Sequence, residues 1–261
     1  MVSTRHDATQ TRQQLRNYIC SNDYMNGIAR MDGLAMARMR ARIAERDDHQ
    51  LAVEDSNAEK LDTENLAIVL DIDETALSNL PQIFEGDIYG SEKNIACPRL
   101  TGHPDSNEAG CSHVTWQGLG QDLAIEPTLA LYREARLHGV TVFFITGRSQ
   151  RDYTNINSDK PILEITKTNL VKAGYDKGFC LFIKNQRSSD DSLNDCDAVA
   201  VDLKKDTSDT GAFKRDIRNA IQQAHYTIIV NVGDQLNDLS GAPYDGEEPA
   251  EATFLLPNPF Y

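Results

Sequence analysis

Positive charge is what this sequence is short of. It sets 26 Lys and Arg against 40 Asp and Glu, a formal net charge of −14 over 261 residues. Such an acidic surface repels phosphate backbones, which speaks against a general binder of nucleic acid polymers. A small anionic substrate stays open, provided a metal or a local basic group reverses the field where it binds. Long hydrophobic runs are missing too. No unbroken interior stretch is longer than Leu66–Leu70, far short of the ~20 residues of a transmembrane helix. The opening residues lack the apolar h-region of a signal peptide. That leaves a cytoplasmic protein, or an exported one whose signal has been removed. Cysteine is sparse and unpatterned: Cys20, Cys97, Cys111, Cys180 and Cys196 give no C-x-x-C pair and no zinc spacing.

Enough apolar residue is present, 40% of the chain, for one large domain or a core with a modest appendage. Residues 1–16 are polar and aperiodic and read as a lead-in. From Tyr18 to Arg46 the pattern is helical, with Ile28, Met31, Ala35, Met39 and Ile43 recurring at spacings of three and four. Four of the five Met fall between 25 and 39. They fit a helix packing on its own core better than a stripe that binds a partner. Residues 47–65 are acidic and polar and read as a connector.

Beyond residue 65 strands and helices alternate. Strands are expected at Leu66–Asp71, Val140–Ile145, Phe179–Ile183, Ala198–Val201, Thr227–Val232 and Thr253–Leu256. Pro127 and Gly139 punctuate one intervening helix, and Pro161 and Gly174, behind the cap candidates Ser158 and Asp159, another. The alternation predicts an α/β fold, a Rossmann-like parallel sheet with helices on both faces and an active site at the carboxyl ends of the strands. Two stretches interrupt it. Residues 81–125 hold the only Trp, Trp116, and read as a cap insertion; residues 185–211 are Ser/Asp-rich and read as a surface insertion.

Polar strings stand where the strands end. Leu66–Leu70 breaks into Asp71-Ile72-Asp73-Glu74-Thr75, where alternation would send Asp71 and Asp73 the same way, or where a solvated turn would serve as well. Thr141–Ile145 ends in Thr146-Gly147-Arg148, a hydroxyl and a flexible amide suited to an anion, or an ordinary capped turn. Thr227–Val232 ends in Gly233-Asp234-Gln235-Leu236-Asn237-Asp238, with two carboxylates one helical turn apart that suit a cation or a helix cap. Lys214 precedes that strand; by itself it is an ordinary surface lysine. Four carboxylates gathered without a counter-charge would repel strongly. A divalent cation with oxygen ligands resolves that, and Mg²⁺ suits a site that also holds a phosphate.

These strings resemble the haloacid dehalogenase-like (HAD) phosphohydrolases, and among them the subfamily IIIB acid phosphatases, which group bacterial class B and class C enzymes with plant vegetative storage proteins. The similarity rests on five ordered motifs: Val69–Pro81, Phe143–Arg148, Thr166–Tyr175, Gly233–Leu239 and Leu256–Tyr261. It implies a HAD core over 66–261 and an N-terminal tail with a helical extension over 1–65. By resemblance, Asp71 is the nucleophile that forms an aspartyl-phosphate, and Asp73 is the general acid and then base. Thr146, Gly147 and Lys214 hold the phosphate; Asp71, the Asp73 backbone carbonyl, Asp234 and Asp238 bind Mg²⁺. Lys184, Lys204 and Lys205 compete with Lys214, which is preferred because Lys214-x-x-x-Arg218 matches the family's spacing.

The activity so implied is Mg²⁺-dependent hydrolysis of small phosphomonoesters, nucleoside monophosphates being one class. The alternative is a catalytically silent storage or binding protein on the same fold. The resemblance also favours a periplasmic or secreted protein and leaves room for a homo-oligomer. In an oxidising compartment a Cys97–Cys111 disulfide would tie down the cap, worth roughly 3 kcal/mol for a loop of that size.

Overall fold

The structure, a computed structural model, describes residues 13–55, 64–85, 113–150, 161–176, 178–185, 199, 209–239 and 252–260. A short helix over 13–20 (α1) leads through Asn22, whose φ of 66° breaks the run, into the long helix α2, Asp23–Asp55. Then come β1 (Asn65–Leu70), β2 (Leu77–Ser78), α3 (Leu80–Glu85), α4 (His113–Leu119), β3 (Leu123–Ala124), α5 (Glu126–Leu137), β4 (Thr141–Ser149) and α6 (Ile162–Lys172). The chain continues with β5 (Cys180–Lys184), α7 (Thr210–Gln223), β6 (Tyr226–Gly233), α8 (Leu236–Leu239) and β7 (Thr253–Leu255).

Five strands form one parallel sheet in the order β5-β4-β1-β6-β7. Strand alternation divides the interior in two. Leu66, Ile68 and Leu70 of β1, Val142 and Phe144 of β4, and Leu181 and Ile183 of β5 face a core shared with α2, α5 and α6. Ala67, Val69, Phe143, Ile145, Cys180 and Phe182 face the other core, closed by Phe213, Ile217, Ala220 and Ile221 of α7. The helices therefore lie on both faces, as the alternation predicts. Order reverses at β1: β4 and β5 build outward on one side, β6 and β7 on the other. Right-handed crossovers are the rule in such sheets, and with the order reversing at β1 that rule puts α7 on the opposite face from α5 and α6, where the two cores have it. The carboxyl end of β1 is the crevice at which such sheets bind ligands.

Several expectations need correction. Helix α2 runs nine residues into the supposed connector 47–65. Residues 47–55 contain no Gly or Pro, and Asp47, Asp48, His49 and Leu51 are exposed on a solvated helix surface. The N-terminal helix packs on the main core, as its apolar spacing predicts. Tyr24, Ile28, Ala35, Met39 and Ile43 of α2 are buried in the main core, with Met25, Met31 and Met36 packed beside them. Leu15 is buried too, so the lead-in stops short of 16. Of the expected strand Ala198–Val201 only Val199 is described, buried and in no strand. The cap insertion begins and ends in ordered elements, α3 at one end and α4 and β3 at the other, β3 pairing back to β2 just ahead of the insertion, and Trp116 is fully buried. Cys97, Cys111, Lys204, Lys205, Ser158 and Asp159 lie outside the described residues, and the expectations on them with it. Cys180 is disulfide-bonded, to a partner also outside the described residues, and Cys20 is a free thiol.

Candidate active site

Strand β1 delivers its last apolar residue, Leu70, and then turns. The Asp71 N–H donates to Val232 O of β6 at 3.0 Å, which fixes Asp71 beside the end of that strand. The chain next folds on the Ile72 carbonyl, which accepts the N–H groups of Thr75, Ala76 and Leu77 at 3.3, 2.9 and 2.8 Å. Glu74 takes a positive φ of 54°, unusual for a residue with a Cβ. The buried Glu74 carboxylate holds that conformation by accepting from Asn79 N at 2.7 Å and Asn79 Nδ2 at 3.0 Å.

This turn separates the two aspartates that simple alternation would align. The Asp71 carboxylate faces Lys214 Nζ at 2.5 Å, and the same ammonium donates to Asp238 Oδ1. The Asp73 carboxylate turns instead to Arg148, which reaches it through Nη2 at 2.8 Å and Nε at 3.1 Å, and to Asn79 Nδ2 at 3.0 Å. Arg148 is itself enclosed, with its Nη2 also 3.0 Å from Asp122 Oδ2 and its Nη1 3.3 Å from Thr166 Oγ1.

Asp71, Asp234 and Asp238 converge. One carboxylate oxygen from each lies within 4.8 Å of the others, and all three residues are buried. Asp234 follows β6 directly, and Asp238 comes back to it across the single turn α8, where its Oδ2 accepts Gln235 N–H at 2.9 Å. The Asp238 carbonyl is pinned by Arg218 Nη1 at 2.7 Å and Asn231 Nδ2 at 3.0 Å. Gly233 makes room for this turn: a Cβ there would stand 2.2 Å from Asp238 Cβ. The Asp73 carboxylate is not a member of the trio.

Burial and the repulsion of Asp238 push the Asp71 carboxyl well above the ordinary range, against the pull of Lys214. Asp234 is pushed up to about 8 by burial, Asp238 and Glu74. Burial opposes the charge on Lys214, but Asp71 and Asp238 hold its ammonium above its usual value. For Asp73 burial is likewise outweighed, and the charge and hydrogen bonds of Arg148 hold it far below a normal carboxyl. Asp122 rises to about 6, burial exceeding the attraction of the same Arg148. Three buried carboxylates against one ammonium are short of positive charge, and their donors are all hard oxygens. That set fits a divalent metal ion.

The remaining expected residues divide. Thr146 is fully buried, and its Oγ1 accepts Arg148 N–H at 3.1 Å. At Gly147 β4 passes the start of α7, where a Cβ would come 3.0 Å from Thr210 Cγ2. Lys214, an ordinary surface lysine when taken alone, is buried. Lys184 is not brought to the carboxylates; its Nζ donates to Thr210 Oγ1 at 3.0 Å. Sequence reasoning assigned no task to Arg148 or Asp122. Arg148 ends the Thr-Gly-Arg string and carried a signal, but Asp122 lies in the cap region among residues with no motif.

The profile of HAD superfamily, subfamily IIIB (acid phosphatase), matches residues 5–261. Acid phosphatase 1 of Solanum lycopersicum is 31% identical over 193 residues, 74% of this chain and 57% of its own length. The stem 28 kDa glycoprotein of Glycine max is 27% identical over 74% of this chain and 58% of its own. Vegetative storage protein 1 of Arabidopsis thaliana is 26% identical over 77% and 57%. The chain thus spans somewhat more than half the length of these relatives. Among solved structures, the class C acid phosphatase from Bacillus anthracis superposes with a TM-score of 0.55 at 18% identity, over 96% of this chain and 86% of that one. The fold is HAD-like, and the chain belongs to the subfamily IIIB acid phosphatase family.

Proposed function

We propose that this family member is a Mg²⁺-dependent phosphomonoesterase that acts through an aspartyl-phosphate on Asp71. The observation that carries the proposal is the convergence of Asp71, Asp234 and Asp238 within 4.8 Å, with Lys214 against Asp71. Asp71, Asp234, Asp238 and the Asp73 carbonyl would hold the cation. When bound, Mg²⁺ supplies the charge that keeps these carboxylates ionised and shields the nucleophile from an incoming phosphate.

In the first half-reaction an Asp71 carboxylate oxygen attacks phosphorus, the bond from phosphorus to the ester oxygen breaks, and Asp73 gives the departing oxygen a proton. In the second, Asp73 takes a proton from water, whose oxygen attacks the same phosphorus. The Asp71–phosphorus bond breaks and inorganic phosphate leaves. Lys214 neutralises phosphoryl oxygens, and the Thr146 hydroxyl and the Gly147 amide help to hold them. Arg148 bears unequally on the two halves. Its contacts with Asp73 favour the carboxylate, which suits the base of the second half. Donation in the first half needs Asp73 freed from Arg148, and an anionic substrate drawing the guanidinium toward itself would do that.

Small phosphomonoesters are the substrate class, with nucleoside monophosphates the members to assay first. The disulfide of Cys180 supports an exported, oxidised protein. A storage role, which the name of the Arabidopsis relative raises, needs no nucleophile, whereas this chain keeps Asp71 beside two carboxylates and an ammonium. Hydrolysis of a phosphomonoester panel after EDTA treatment, with and without added Mg²⁺, tests the proposal. Metal-dependent release of phosphate is expected, and no turnover in either condition would overturn it.

A further inference from the structure

The string Leu256–Phe260 has no task in the chemistry above, yet it touches the metal-ligand trio. Asn258 Nδ2 donates to Asp234 Oδ2 at 2.5 Å, while Oδ1 of Asp234 accepts a longer contact from Thr75 Oγ1 at 3.4 Å. The orientation of the Asn258 amide is fixed from the other side, because its Oδ1 accepts Phe260 N–H at 2.8 Å. Only the NH₂ end can then face the carboxylate.

The segment is held in turn. Leu256 N–H bonds Gly233 O at 2.8 Å, continuing the pairing of β7 with β6. The buried Phe260 ring meets the Tyr24 ring of α2 edge-on at 5.5 Å. One turn further along α2, Gly27 lets the helix press on Pro257, whose Cγ would lie 2.7 Å from a Cβ at that position. A cavity of about 450 Å³ between α2 and this segment has Arg30, Leu34, Asp234 and Asn258 in its lining. Asp234 lines this cavity, and the Asn258 amide is the donor that fixes its carboxylate on that side.

We infer that Asn258 is a positioning residue for the metal: clamped by α2 through Pro257 and Phe260, it orients Asp234 as a ligand. This inference rests on the metal-dependent reading above. A neutral amide suits the position. It engages one carboxylate oxygen, leaves the other for the ion, and brings no charge that would displace a cation. Partners of this kind behind a metal ligand change affinity by about 10–100-fold when removed.

The test is Mn²⁺ uptake by the purified full chain, read from the free-ion signal in electron paramagnetic resonance. Asn258→Ala is expected to bind Mn²⁺ about 10–100-fold more weakly, with its unfolding temperature near wild type and its kcat recovered at saturating metal. Wild-type affinity in Asn258→Ala overturns the inference alone, as does a kcat loss that metal does not restore. A wild-type chain that takes up no Mn²⁺ overturns the metal reading and this inference together. Should Asn258→Ala fail to fold, the wild-type protein decides. The Asn258 side-chain amide resonances should shift as Mg²⁺ is added, and resonances indifferent to saturating Mg²⁺ overturn the inference.

Discussion

Replacing Asp32 should make the protein more stable at neutral pH and less stable in acid. Asp32 lies on α2, 3% exposed, against α5. Its Oδ2 accepts the Thr128 hydroxyl at 2.9 Å, while Oδ1 has no hydrogen-bond partner among the described residues. Burial pushes its carboxyl from 3.8 up to about 7, the Thr128 bond opposing only in part. Between these two values the unfolded chain has released the proton and the folded chain still holds it. The folded state therefore loses stability as pH rises through the window. The whole rise corresponds to about 4 kcal/mol.

Asn at this position keeps the bond from Thr128 and removes the titration, but leaves its NH₂ buried without an acceptor, a cost of about 1–3 kcal/mol. Near pH 8 the removed charge outweighs that cost, and Asp32→Asn should be the more stable by about 1–3 kcal/mol. Near pH 4 the wild-type carboxyl is protonated in the folded state and only about half ionised in the unfolded one, so the orphaned amide outweighs the titration and the order reverses. Urea unfolding of both proteins at pH 4, 6 and 8 measures the difference, with contributions from all other groups cancelling. A stability difference that stays constant from pH 4 to pH 8 would refute the reasoning, whatever its sign.

Four further outcomes bear on the site. Asp71→Asn should fold normally and lose turnover, since an amide is not a nucleophile; phosphate release by the folded variant would exclude the covalent route. Asp73→Asn should slow alkyl phosphates far more than p-nitrophenyl phosphate, whose leaving group needs no proton, and equal losses on both would remove Asp73 as the acid. Gly233→Ala drives a methyl group into Asp238, so Mn²⁺ affinity should drop at least tenfold, about the loss of one supporting contact; calorimetric titration reads it. Because Cys180 is disulfide-bonded, thiol titration of the denatured, unreduced chain should find no more than three free cysteines. A peptide map then tells whether Cys97 and Cys111 join each other.

How much of this was legible in the sequence follows from what each feature depends on. Strands β1, β4 and β6 are short apolar runs, and their order along the chain with helices between fixes a parallel sheet. Asp71, Asp234 and Asp238 stand one to five residues beyond the ends of β1 and β6, so their meeting at one edge follows from topology. Asp73 departs from simple alternation because β1 ends at Leu70 and the turn around the Ile72 carbonyl re-aims it. Helix α2 outruns its apolar pattern, since polarity marks a solvated helical face as readily as a connector. Arg148 bridges two carboxylates 49 residues apart in sequence, Asp73 and Asp122, and no local pattern reports a partnership of that kind. The burial of Lys214 likewise depends on which helix face meets the sheet.

The pairing of β1 with β6 also sets an order of events during folding. Asn65 lies opposite Tyr226 and Leu70 opposite Val232, contacts closed across most of the chain's length. The β4–α6–β5 unit, by contrast, joins neighbours in sequence. Contacts of long sequence separation form slowly, because chain entropy is lost before they give anything back. Asp71 and Asp234 meet only when the β1–β6 ladder closes. During refolding, helix content should therefore return ahead of metal uptake, and a chain arrested before that closure would carry every ligand residue and no binding site.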